Sequence, residues 1–131
     1  DHQFEFDCGF EGELIGIFSE LLSAMSNLIS NAVRYTPADG FIKVCVRRLS
    51  DGRLEFSVTD TGPGIAAEHL GRLTERFYRV DRSRSRETGG TGLGLAIVKH
   101  VAQRHGATLS IESTVGQGSV FSLVFPASRV A

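Results

Sequence analysis

Phe41-Ile-Lys-Val-Cys45-Val-Arg-Arg-Leu-Ser50-Asp51-Gly52-Arg53-Leu-Glu-Phe-Ser-Val-Thr59-Asp60-Thr-Gly62-Pro-Gly64-Ile65 reads as two strand-like runs that end in a glycine-rich turn. The runs, about 41–49 and 53–59, alternate apolar and polar side chains, and Ser50-Asp51-Gly52 between them has hairpin chemistry. Successive strands with no helix between them argue against a doubly wound sheet, and with it against Rossmann and P-loop architectures. Working outward, a strand is expected near 3–7. A helix follows with Ser19 as its N-cap and Leu21, Met25, Leu28, Ile29 and Ala32 as its buried stripe. Thr36-Pro37 and Asp39-Gly40 stop it. Downstream of the hairpin, short helical pieces near 67–73 and 75–78 lie in a long charged connection. A second firm helix is expected over 92–105, apolar along Leu93, Ala96, Ile97, Val101 and Ala102 and ended by Gly106. Strands near 108–113 and 119–125 flank a hairpin at Val115-Gly116-Gln117-Gly118. The sum is an α+β domain: a two-layer α/β sandwich, its mixed sheet of about five strands carrying about three helices on one face.

At 131 residues and 41% hydrophobic content the chain is expected to form a single domain over 1–131 with one workable core. The net charge of −1 hides a local asymmetry: six of the twelve arginines, Arg72, Arg76, Arg79, Arg82, Arg84 and Arg86, fall within fifteen residues. Glu68, Glu75, Asp81 and Glu87 interleave with them, which argues against a nucleic-acid partner. Cys8 and Cys45 lack metal-ligand spacing, and buried thiols in a reducing compartment are expected, with a disulfide as the alternative. No apolar run approaches the roughly 20 residues of a membrane span. The expectation is a cytoplasmic domain without direct membrane contact, compatible with a membrane-anchored parent.

Three stretches carry chemistry. In Asn27-Leu-Ile-Ser-Asn31-Ala-Val-Arg34-Tyr35, helical spacing gathers two amides, a guanidinium and a phenol on one strip. Amide oxygens suit a hard cation and Arg34 suits phosphate, so Mg²⁺ with a nucleoside triphosphate is the natural guest; the alternative is an ordinary surface helix. Asp60, at a strand end before Gly62 and Gly64, is placed to accept a hydrogen bond from an exocyclic amine such as that of adenine, or is simply a turn residue. Gly89-Gly90-Thr91-Gly92-Leu93-Gly94-Leu95 opens the second helix, where backbone N–H groups favour phosphate; a packing hinge is the alternative. Phe77-Tyr78-Arg79 and the arginines to Arg86 read as a lid, about 66–91, or as a solvated charged face. The four histidines show no metal spacing, and His100 and His105 are assigned to the polar side of the second helix.

These motifs, in this order, resemble the catalytic ATP-binding domain of two-component sensor histidine kinases, within the superfamily that includes gyrase, chaperone and mismatch-repair ATPases. Residues 27–36 resemble the N box, 60–65 the first glycine box, Phe77-Tyr78-Arg79 the F box and 90–95 the second glycine box. The run Leu73-Thr-Glu-Arg-Phe-Tyr-Arg-Val-Asp81 is similar to phosphate-regulon sensors. The resemblance implies a Bergerat-type ATP-binding fold with ATP and Mg²⁺ as cofactors. It implies Asn27 and Asn31 as metal ligands, and Asn31 and Arg34 as catalytic residues. Phosphates would meet Arg34, Tyr35, Gly90, Thr91, Gly92, Leu93, Gly94 and Leu95. Asp60 would bind the adenine amino group, Ser119 would help line the base pocket, Gly62, Gly64 and Ile65 would contact the nucleotide, and Tyr78, Arg82, Arg84 and Arg86 would belong to the lid, its arginines as candidates for the terminal phosphate. Hydrolytic relatives place a general-base Glu four residues before the metal-binding Asn; here Asn27 stands there, and an amide cannot take a proton from water. The implied reaction is therefore phosphoryl transfer to a histidine on a separate dimerisation domain, with a response regulator downstream. A serine kinase of the anti-sigma type and a nucleotide-binding module without transfer activity are the rival readings.

Overall fold

The computed structural model describes residues 3–9, 12–65, 70 and 94–131. The expected helical pieces near 67–73 and 75–78 and the lid at about 66–91 lie essentially outside the described residues, as does the start of the second helix. Five strands form one sheet: β1 (Gln3–Cys8), β2 (Phe41–Arg48), β3 (Leu54–Asp60), β4 (Thr108–Thr114) and β5 (Gly118–Phe125), in the order β1-β2-β3-β5-β4. β1 pairs parallel with β2 across the crossover helix α1 (Phe18–Tyr35), and every other pairing is antiparallel, so the sheet is mixed. Among the described residues there are two α-helices, α1 and α2 (Gly94–Arg104), and a 3₁₀ turn at Ala127–Arg129.

Alternation builds the core. In β3 the even-numbered Leu54, Phe56, Val58 and Asp60 are buried, and their register partners on β5 are Phe125, Leu123, Phe121 and Ser119. The apolar pairs meet Leu21, Ala24, Leu28 and Ala32 of α1 and Val98, Val101 and Ala102 of α2 in a single cluster. The buried row therefore ends, at one edge of the core, in a polar pair, Asp60 opposite Ser119. Phe4 and Phe6 of β1 are in register with Ile42 and Val44, stack with ring centroids 6.1 Å apart, and stay exposed.

Several details depart from the sequence reading. Helix α1 starts at Phe18, one residue before the expected Ser19 cap, with Ile17 in the cap position and no side-chain cap bond. The reason is tertiary: the Ile17 N–H donates to His105 Nε2 at 3.0 Å, while the Ile17 carbonyl takes the Leu21 N–H. His105 is accordingly buried, not on the polar side of α2, and its Nδ1 lies 2.8 Å from the Val101 carbonyl, so the neutral ring donates there and accepts at Nε2. With His105 inside, the buried face of α2 runs through Val98, Val101 and Ala102, and Ile97 is left 42% exposed. Gly106, at φ 67°, terminates the helix as expected. Neither thiol is fully buried: Cys8 is exposed and Cys45 half-buried.

Candidate functional site

Asp60 ends β3 with its side chain 7% exposed. Its Oδ1 accepts the Gly62 N–H at 2.9 Å, and the Ser119 N–H faces the carboxylate and favours its charged form. Burial outweighs both N–H groups and pushes its pKa above 3.8, the ordinary aspartate value. A buried carboxylate is costly to keep. This one sits where strand, turn and helix converge: a side chain on Gly62 would press on the Tyr35 carbonyl and on Asp60 itself.

The turn that follows is stitched to the β4–β5 hairpin. Gly64 has φ 77°, and a Cβ there would be driven into the backbone of Thr114. Gly118 has φ 129°, and a Cβ there would be driven into the Asp60 carbonyl. Both positions therefore require glycine. The Gly116 N–H donates to the Pro63 carbonyl at 2.8 Å, and the Ile65 N–H donates to Ser113 Oγ at 2.7 Å.

Helix α1 presents the amide strip beside this turn. Asn27 donates through Nδ2 to the Ser23 carbonyl at 2.8 Å, which fixes the sense of its amide, and its Oδ1 lies 3.1 Å from where a Gly94 Cβ would stand. The strip and the first described turn of α2 are thus in close approach. Asn31 lies half-buried one turn on, Arg34 donates through Nη2 to Ser30 Oγ at 2.9 Å, and Tyr35 is half-buried at the helix end. With Nδ2 on the Ser23 carbonyl, the Asn27 amide turns its oxygen toward Gly94, and a neutral amide oxygen is the kind of donor a hard cation accepts. Among the described residues no cluster of three or more His, Cys, Asp or Glu side chains is placed to hold a metal ion.

The structure sets Gly62 against Asp60 and the Tyr35 carbonyl, Ser119 across the ladder from Asp60, Gly64 and Ile65 against the β4–β5 hairpin, and Gly94, the first described residue of α2, against Asn27, with Asn31 and Arg34 further along α1. Leu95 is half-buried and packs against the core. Tyr78, Arg82, Arg84, Arg86, Gly90, Thr91, Gly92 and Leu93 lie outside the described residues. Two residues that sequence reasoning passed over belong to the site: Ser23, which orients Asn27, and Ser113, which ties Ile65 to the hairpin. The signal for Ser113 was available, since the hairpin at Val115–Gly118 sets it directly across from Ser119.

A helix strip of amides, a buried aspartate at a strand end and a glycine turn around it define a class. The chain belongs to the histidine kinase-, DNA gyrase B- and HSP90-like ATPase family, whose model matches residues 16–129. Within it, the chain is 52% identical over 132 residues to the phosphate regulon sensor protein PhoR of Pseudomonas aeruginosa, covering 100% of this chain and 29% of that protein. It is 47% identical over 114 residues to the sensor-like histidine kinase SenX3 of Mycobacterium tuberculosis, covering 87% of this chain and 28% of that one. The chain therefore spans less than a third of these relatives. Among solved structures it is similar to the mycobacterial sensor histidine kinase MprB, with a TM-score of 0.82, 32% identity, and 95% of this chain and 81% of that chain covered. It is also similar to full-length ShkA, solved in complex with AMPPNP, with a TM-score of 0.80, 29% identity, and 95% and 25% covered. The fold is that of histidine kinase catalytic domains, as the motif order implied. No helix among the described residues is long and apolar enough to cross a membrane.

Proposed function

We propose that this domain binds Mg-ATP and acts as the catalytic part of a two-component sensor kinase, directing the terminal phosphoryl group to a histidine on a separate dimerisation domain of its parent, whose response regulator is the next acceptor. The observation that carries the reading is Asp60. A carboxylate 7% exposed, held by the Gly62 N–H and bordered by a glycine turn, is a costly feature whose use is to accept a hydrogen bond from a base amine.

Asn27 and Asn31 would hold Mg²⁺ through neutral amide oxygens, a donor set that leaves the balancing charge to the phosphates. Bound there, the metal would draw charge from the phosphate oxygens. The chain's own contribution is positioning: α1 orients Asn27 through Ser23, Arg34 supplies fixed positive charge, and the glycines before α2 would offer backbone N–H groups to phosphate. Asn27, its Nδ2 engaged with Ser23, has no basic group to activate water. Transfer to a docked acceptor is favoured over hydrolysis for that reason. The lid at 66–91, with Tyr78, Arg82, Arg84 and Arg86, and the phosphate contacts of Gly90, Thr91, Gly92 and Leu93 belong to the same reading. The domain would work at the cytoplasmic side of a membrane-anchored parent.

The test is incubation of the chain with radiolabelled ATP and a helical-hairpin domain carrying the acceptor histidine. Acid-labile label on that hairpin is the expected result. Acid-stable label on a partner serine would favour the serine-kinase rival, and tight ATP binding with no label on either would favour a binding module.

A further inference from the structure

We propose that Ser113 is a positioning residue for base selectivity: by fixing the sense of the Ser119 hydroxyl, it makes the wall beside Asp60 an acceptor-only surface that favours a 6-amino purine over a 6-oxo purine. The inference deepens the nucleotide reading of the Asp60 pocket and rests on it.

Ser113 Oγ has three polar neighbours: the Ile65 N–H at 2.7 Å, the Gly118 carbonyl at 3.0 Å and Ser119 Oγ at 2.8 Å. A hydroxyl has one hydrogen to give and two lone pairs to fill. The Ile65 N–H can only donate, so it takes one lone pair. The Gly118 carbonyl can only accept, so it takes the hydrogen. The remaining lone pair is filled by the Ser119 O–H. This is the one arrangement that uses all three contacts at once, and it points the Ser119 hydrogen toward Ser113 and away from the pocket. Ser119 stands directly across the ladder from Asp60 and is 6% exposed. With its hydrogen committed to Ser113, Ser119 Oγ offers only lone pairs beside a carboxylate that also only accepts when ionised. An exocyclic amine matches such a wall, whereas a carbonyl oxygen at the same ring position meets it lone pair to lone pair.

Ser113 acts on the pocket through a second route with the same outcome. Its bond to Ile65 fixes the turn that carries Gly62 and Gly64, and the Gly62 N–H holds the Asp60 carboxylate. Loss of the Ser113 hydroxyl therefore frees the Ser119 hydrogen to rotate toward a ligand and loosens the turn together.

The experiment measures dissociation constants of ATP and inosine triphosphate, which differ at ring position 6, for the wild-type chain and for Ser113→Ala, Ser113→Thr, Ser113→Cys and Asp60→Asn, with a thermal melt of each. Ser113→Ala is expected to reduce the preference for ATP over inosine triphosphate about tenfold, the order expected for losing one buried hydrogen-bond constraint. Ser113→Thr, which restores a hydroxyl, is expected to recover it. If Ser113→Ala does not fold, Ser113→Cys carries the test, because a thiol fills the space but is a weak donor and acceptor, and a reduced preference is expected there too. Equal weakening of both nucleotides with a lowered melting temperature would make Ser113 a structural residue only and overturn the inference. Asp60→Asn separates the two levels. If it abolishes the preference while the Ser113 variants keep it, only the Ser113 inference fails; if it changes neither affinity, the nucleotide reading of the pocket fails as well.

Discussion

Replacing Asp60 with Asn keeps the size of the side chain and exchanges one acceptor oxygen for a donor, so its consequences divide cleanly between binding and stability. The Gly62 N–H, 2.9 Å from Oδ1, retains an oxygen acceptor in the amide. A base amine loses a charged acceptor and meets an NH₂ group or a neutral oxygen instead. A hydrogen bond to a charged group is worth about 1.5–3 kcal/mol, which corresponds to a rise of roughly 10- to 150-fold in the dissociation constant for ATP. Stability moves by a different rule. Burial raises the pKa of Asp60 above 3.8, so the folded state binds its proton more tightly than the unfolded chain. The contribution of this group to stability is therefore full below the ordinary value and is lost as pH rises through the raised one. Asn does not titrate, so the stability of Asp60→Asn relative to wild type should improve as pH climbs through that window and then level off. Calorimetric titration with ATP at neutral pH and urea unfolding across the acid range read the two arms. Unchanged ATP affinity would remove Asp60 from the site, and a relative stability that moves the other way with pH would refute the assignment of its raised pKa to burial.

Three further outcomes are expected. Asn31→Ala should weaken ATP binding more in the presence of Mg²⁺ than in its absence, and equal losses in the two titrations would exclude a metal role for Asn31. His105→Ala, at a side chain 1% exposed that accepts the Ile17 N–H, should cost about 2–4 kcal/mol in urea unfolding through the cavity and the orphaned donor; a loss below about 0.5 kcal/mol would show that the helix start is held by other contacts. Gly118→Ala should both destabilise the chain and weaken ATP binding, because φ is 129° and the added Cβ would displace the Asp60 carbonyl; a variant with wild-type melting temperature and affinity would contradict the close approach of the two strands.

Much of this architecture was legible where the determining interactions are local. The β2–β3 and β4–β5 hairpins follow from alternation and from Gly52, Gly116 and Gly118, all three of which take positive φ. The amide strip of α1 and the Asp60 turn were readable because helical spacing and strand ends are properties of a few consecutive residues. The misplaced features depend on contacts between distant positions. Ser19 reads as a cap until His105, 88 residues from Ile17, is known to hold the chain start. Ile97 and Val98 are equivalent to hydropathy alone, and the structure puts Val98 on the buried side with Val101, Ala102 and His105 and leaves Ile97 exposed. Cys45 looks buried in its apolar run, but β2 is covered on one face only, so alternate residues such as Cys45 reach the open side. The pairing of Ser113 with Ser119 follows from the hairpin at Val115–Gly118, but its bond to Ile65 exists only once β4, β5 and the glycine turn are brought together.

The central claim, that purine recognition occurs at Asp60 beside the α1 amides, is tested most directly by following backbone amide resonances of the isotopically labelled chain as Mg-ATP is added. The account requires the largest saturable shifts at Gly62, Ser119, Asn31 and Gly94, with the first two responding to the base and reduced when a triphosphate lacking the 6-amino group replaces ATP. Saturable shifts confined to the opposite face of the sheet, around Ser57, Ser110 and Ser122, with Gly62 and Ser119 unmoved, would contradict it.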